Sequence, residues 1–506
     1  MARGRGRRLG WKALALSLGC WVPGCASTGE DGPTVLLETR ACAGTPVLQG
    51  VRYLRWRVTG PDLEPQVVFT PVEEGAAGAP SLAGGGRTLE VRGYTELPRA
   101  GGRVVALGRA DTVARTSGDG AAVRIVLRRV GEYAPPVDAQ GKCLSLGTAR
   151  AAHTATLLED GRVLLAGGFA LDKDGRSTPL GVVQVLDPAG GTLRALPALN
   201  PARAFHTATR LSGGQVMLVG GETQTEDGPL PLRVAEVLDE TGQASSRVEW
   251  ARERSRHVAV VDSGGRVLVL GGVGADGAVV AEAEGYDSAS GRLFPVATPV
   301  PRVGMAAYLL GDGQRIAVVG GSDGLELQPE VLVLAYQEDG FAPVAGGGVL
   351  REPRRDGALA AFGPSGRLVY VGGSSAPGET QTDSVLASSE FVFASEEPTA
   401  GATPQVFARS EPCAVTLLDG RVVVLGGRGF GPGGLVSDAH AELLVPGGAG
   451  EASGLLGMPN LTLSRYQHTC TVLRDGAVLV AGGVTDDGGE RATLGDLFVY
   501  TPPPLD

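Results

Sequence analysis

The chain has 506 residues, 43% of them apolar and 20% charged, a net charge of −10, and 80 glycines. That apolar share excludes a disordered or collagen-like chain, and the acidic balance argues against nonspecific nucleic-acid binding. The glycine excess fits tight turns between many short strands in one repeated architecture.

The first segment carries Arg3, Arg5, Arg7, Arg8 and Lys12 ahead of the apolar stretch Ala13 to Val22, too short to span a bilayer. Val22-Pro23-Gly24-Cys25 follows. This arrangement resembles a bacterial lipoprotein signal, which implies removal of residues 1–24 and lipidation of Cys25. Cys20, after Leu18-Gly19, is a competing site, and an ordinary secretory signal is the alternative. Either signal exports the protein. The expected location is the cell envelope, at the outer membrane or cell surface, or else the exterior. Membrane contact would come only through the lipid anchor, because no later segment is long and apolar enough to cross.

Residues 25–33 read as a tether. Residues 34–135 contain YLRWRVTG, PQVVFTP, RTLEVRGY, GRVVALGRA and AAVRIVLRRV, alternating segments separated by Gly and Pro. They predict a small antiparallel β-sandwich, similar to immunoglobulin-like modules.

From residue 141 to 506 the sequence repeats. HTATLLEDGRVLLAGG, His153 to Gly168, ends in a glycine pair that recurs at Gly220-Gly221, Gly271-Gly272, Gly320-Gly321, Gly372-Gly373, Gly426-Gly427 and Gly482-Gly483. Each copy joins two apolar runs through Asp-Gly, Gly-Gly or Ser-Gly, dipeptides suited to a two-residue hairpin turn. The second run is apolar at successive positions, as in VVVLG, so its sheet must be covered on both faces. Two further strand-like segments follow each pair, giving four strands per unit and predicting an all-β, seven-bladed β-propeller. These units resemble kelch repeats of the galactose-oxidase-like propeller superfamily. The last unit lacks a fourth strand, and GKCLSLGTAR, Gly141 to Arg150, aligns with the outer strand and link of the first unit. Residues 142–146 are therefore expected to close the ring.

An arginine opens every blade: Arg150, Arg203, Arg254, Arg302, Arg354, Arg409 and Arg465. The repeat order places them on the face that also carries the long loops between the second and third strands. They form the predicted binding set, because the planar guanidinium fork matches carboxylates. The alternative is that they bond carbonyls between blades. His153, His206, His257 and His468 lie three residues after four of these arginines and are expected to hydrogen-bond at the blade starts. Neighbouring blades would hold them too far apart for one metal ion. Asp172 to Ser177, DKDGRS, lacks the terminal glutamate of a calcium loop and reads as a turn.

With Cys20 removed and Cys25 lipidated, Cys42, Cys143, Cys413 and Cys470 remain, and their three possible pairings stay open. Cys42 with Cys143 is the pairing expected, tying the sandwich to the closing strand. Cys470 reads as a buried thiol, one repeat position out of step with Cys413. Resemblance to galactose oxidases would imply a tyrosine directly before a histidine, but in SRYQHTCTVL Gln467 separates Tyr466 from His468. No catalytic set, metal site or cofactor is expected. The reading is an exported, lipid-anchored recognition module for an envelope protein or acidic polysaccharide, with no nucleic-acid partner. A propeller enzyme, a metal-dependent oxidase or glycan lyase, is the alternative.

Overall fold

The computed structural model describes residues 35–80, 82, 86–111, 122–239, 241–338, 340–378, 384–392, 406–431, 434–447 and 454–505. The signal segment, the tether, Cys20 and the lipidation candidate Cys25 lie outside them. Among the described residues no helix is long and apolar enough to cross a membrane.

The N-terminal part has a five-stranded antiparallel sheet in the order Leu63–Pro71, Tyr53–Gly60, Thr88–Tyr94, Val104–Asp111, Arg128–Arg129. Strict alternation along Tyr53–Gly60 turns Leu54, Trp56 and Val58 inward, each fully buried. They pack with Leu89 and Val91 against Val35 and Ile125. Val35–Glu38 and Val123–Val126, which carry Val35 and Ile125, pair in parallel rather than in the antiparallel manner expected.

The remainder is an all-β propeller. Among the described residues seven sheets run outward from inner strands Thr154–Leu157, Thr207–Arg210, Val258–Val261, Ala306–Leu309, Ala358–Phe362, Cys413–Thr416 and Thr469–Val472, six with four strands or more and the fifth with three. Each inner strand contacts the next, and Thr469–Val472 contacts Thr154–Leu157, so they form a closed ring. The apolar runs of the second strands, such as Val163–Ala166 and Val422–Leu425, are buried at every residue, as their unbroken apolar character requires.

Ring closure differs from the expectation for residues 142–146. The strand added outside Leu497–Tyr500 is Tyr133–Ala134, paired through Val499 with Ala134 and Tyr500 with Tyr133. The Tyr133 and Tyr500 rings lie 4.9 Å apart. The segment 142–146 is used otherwise: Cys143 bridges back to Val137, and Leu146 enters the core between the last and first blades. The aligned LSL pattern reflects that buried leucine and not an outer strand.

Two disulfides are formed. Cys42–Cys143, with Cα atoms 5.2 Å apart, joins the N-terminal part to the propeller as expected. Cys413–Cys470, with Cα atoms 6.1 Å apart, joins the inner strands of the last two blades and was not expected. The one-position offset that seemed to forbid it enables it. Alternate residues of an inner strand face opposite neighbours, so Cys413 faces forward and Cys470 backward.

Candidate functional site

The repeat motif builds the joints between blades. In all seven units the second glycine of the pair donates its N–H to the carbonyl of the next blade's arginine, at 2.8–3.0 Å, ending with Gly483 to Arg150. Both glycines adopt positive φ, and a Cβ on Gly220 would meet the Arg254 carbonyl at 2.5 Å.

The seven arginines do not form the expected ligand clamp. Arg150, Arg203, Arg254, Arg302, Arg354, Arg409 and Arg465 are each at most 3% exposed. Every guanidinium donates to the carbonyl of the first glycine of its own blade, at 3.0–3.5 Å. Most also engage a side chain in or just before the third strand: Arg203 with Glu236 at 2.9 Å, Arg254 with Glu284 at 2.6 Å, Arg465 with Asp496 at 2.7 Å, and Arg409 with Glu442. Burial pushes Arg150 and Arg203 down to about 10, which leaves them charged at neutral pH. A charge placed this deep needs these partners, and its burial keeps it out of reach of a ligand in solution.

The histidines occupy the same joints. The Nε2 atoms of His206, His257 and His153 meet the hydroxyls of Thr154, Thr207 and Thr469 on the preceding blades at 3.1, 2.9 and 3.1 Å. His468 has no such contact, because the matching residue is Cys413, bound in its disulfide. Burial, followed by the nearby arginine charge, pushes His206, His257 and His468 down to about 3. In the loop at Asp172 the carboxylate caps the N–H groups of Asp174 and Arg176, both at 2.9 Å, which is a turn.

What converges on the channel mouth is a position the sequence analysis passed over, the second residue after each arginine. Ala152, Phe205, Arg256, Gly304, Asp356, Glu411 and Gln467 all have φ between 47° and 68°. Backbone hydrogen bonds link neighbours around this ring, as in Phe205 to Ala152 at 3.2 Å and Glu411 to Asp356 at 2.7 Å. Their side chains meet as well. The Arg256 guanidinium lies 3.6 Å from the centroid of the Phe205 ring, Gln467 donates to Glu411 at 3.1 Å, and Phe169 stacks on Phe205 at 5.6 Å. Desolvation in the mouth and the Asp356 charge raise the Glu411 carboxyl, while Arg428 and Arg256 oppose the rise. Gln467 Oε1 and Arg428 Nε are buried without hydrogen-bond partners among the described residues. The available signal was variability: within a repetitive motif this position holds seven different residue types.

Among the described residues no three His, Cys, Asp or Glu side chains gather in a metal-holding group. Gln467 fills the position directly before His468, whose imidazole is buried in a blade joint. These residues do not fit a copper centre of the tyrosine–histidine kind.

No family model matches the chain, and no curated protein matches it in sequence. Solved structures do resemble it. A fungal alcohol oxidase of the AA5 family, in complex with copper, aligns over 74% of this chain and 77% of its own, with 16% identity and a TM-score of 0.53. YjhT aligns over 70% of this chain and 99% of its own, with 13% identity and a TM-score of 0.43. At such identities the likeness to the oxidase shows a shared fold and nothing more.

Proposed function

We propose that this protein is an exported, lipid-anchored recognition module that binds an envelope protein or acidic polysaccharide through the loop-bearing mouth of its propeller, without covalent chemistry. The observation that carries this reading is the ring of left-handed residues. Six of the seven are not glycine, and strained backbone of this kind concentrates where a scaffold must aim side chains. The ring aims dissimilar groups at one opening: an aromatic face at Phe205, a cation at Arg256, carboxylates at Asp356 and Glu411, and an amide at Gln467. This mixture of charges favours a protein segment over a uniformly acidic chain as the occupant of the mouth. Two disulfides are in keeping with maturation outside a reducing compartment.

The test is capture from an envelope extract by the wild-type protein and by Phe205→Ala and Arg256→Glu variants checked for native unfolding behaviour. Loss of one defined partner by both variants supports the reading, and equal capture by all three overturns it. The enzyme alternative is tested by elemental analysis of purified protein. One equivalent of a transition metal would favour it.

A further inference from the structure

We propose that the outer face of the N-terminal sheet is a second binding site, distinct from the propeller mouth, for a linear polysaccharide bearing uronate carboxylates. One face of this sheet is sealed against its core by Leu54, Trp56, Val58, Leu89, Val91 and Ala106. Strand alternation therefore turns the intervening residues outward, and the register arranges them in adjacent rows. One row runs Val67, Arg57, Glu90, Arg109, and the next runs Phe69, Arg55, Arg92, Leu107.

These rows hold four arginines against one glutamate, on a chain whose net charge is −10. Glu90 serves Arg92 at 2.8 Å and Arg55 at 3.5 Å, so a single carboxylate is divided between two cations. Among the described residues Arg109 pairs with Asp111, at 3.7 Å, and Arg57 is exposed with no carboxylate partner. Local cationic surplus on an acidic protein is the complement of a polyanion. Beside it stands an apolar platform, with Val67 45% and Phe69 39% exposed, and the Phe69 ring 6.0 Å from that of Tyr94.

Arginine forks for carboxylates next to an open aromatic face suit an acidic sugar chain, whose rings offer apolar C–H faces between regularly spaced charges. Neighbouring strands lie about 4.8 Å apart, close to the rise of one sugar unit, so arginines on adjacent strands can meet successive residues. The strongly acidic remainder of the protein disfavours a polyphosphate, which would carry a denser charge past it.

The test is binding of polygalacturonate to the full protein, compared with neutral dextran, poly-glutamate and single-stranded DNA. Polygalacturonate should bind in a salt-sensitive manner while dextran does not. Arg57→Ser with Arg92→Ser, and separately Phe69→Ala, should each weaken binding by about tenfold or more. Arg57 and Phe69 are exposed, so Arg57→Ser alone and Phe69→Ala keep the test open if the double variant unfolds. The sheet variants should retain capture of the protein partner at the propeller mouth, which separates failure of this site from failure of the mouth. The proposal is overturned by absence of polygalacturonate binding, by binding that the sheet variants retain, or by poly-glutamate or DNA binding as tightly as polygalacturonate.

Discussion

The guanidinium of Arg256 lies face-on to the ring of Phe205, with 3.6 Å between its central carbon and the ring centroid. Both residues hold left-handed backbone, both come from the variable position of their blades, and both sit at the rim, where Arg256 also reaches Glu222 at 3.7 Å. Such a pair contributes about 0.5–1 kcal/mol at an accessible site. Phe205→Ala should therefore lower stability only modestly while abolishing partner capture. Urea unfolding and capture measured on the same preparation check this, and a large stability loss would make the pair a structural element.

Removing a joint arginine should do the reverse. Arg203 is fully buried, donates to the Gly220 and Val234 carbonyls and pairs with Glu236. Arg203→Met strands a buried carboxylate and should cost about 3–5 kcal/mol. The double variant Arg203→Met with Glu236→Gln should recover part of that loss, measured as the urea midpoint.

Gly220→Ala places a methyl group 2.5 Å from the Arg254 carbonyl and 3.0 Å from His257 Cε1, at a φ of 56°. The blade joint must open to admit it. A destabilisation above about 1 kcal/mol is expected, whereas Ala substitution at Gly366, with nothing within 4 Å of its Cβ, carries only the cost of its φ of 64°. Paired thermal melts distinguish the two.

The joints also predict acid sensitivity. His206, His257 and His468 are held near 3 in the fold against 6.5 when unfolded, so below pH 6.5 the unfolded chain binds the extra protons. Stability present at neutral pH should fall as pH drops through 6.5 and continue falling towards 3. Between pH 6.5 and 5 each histidine contributes on the order of 2 kcal/mol of loss. His257→Gln should flatten the slope of stability against pH in that window, and an unchanged slope would place the titration elsewhere.

Cys413–Cys470 closes a loop with a sequence separation of 57 between adjacent inner strands. Cys413→Ala with Cys470→Ala should lower stability by roughly 2–4 kcal/mol. Wild type under reductant should lose more than this, because Cys42–Cys143 opens as well, whereas the variant should change only by the share of Cys42–Cys143 when reductant is added, read by the denaturant midpoint.

Much of the architecture was legible because it is written in period and repetition. Alternation over YLRWRVTG marks one buried face, and runs such as VVVL mark strands covered twice. The seven glycine pairs mark the joints because only glycine accepts a positive φ beneath a neighbouring carbonyl. The closing strand was misplaced because LSL at 144–146 has the pattern of an outer strand. In the fold its second leucine fills a blade interface, and Tyr133–Ala134 takes the edge.

The sequence by itself thus determined the propeller repeat, the buried strands and the presence of an arginine and a glycine pair at every blade. Which way those arginines point was decided only by tertiary structure. Alternation assigns a residue to one side of a strand, but whether that side meets solvent or the next blade depends on how the sheets are rotated against one another. That rotation turns seven guanidinium groups into the joints, where carbonyls and carboxylates offset their desolvation. It leaves the second residue after each arginine, marked in one dimension only by its variability, beside its counterparts around the ring of blades.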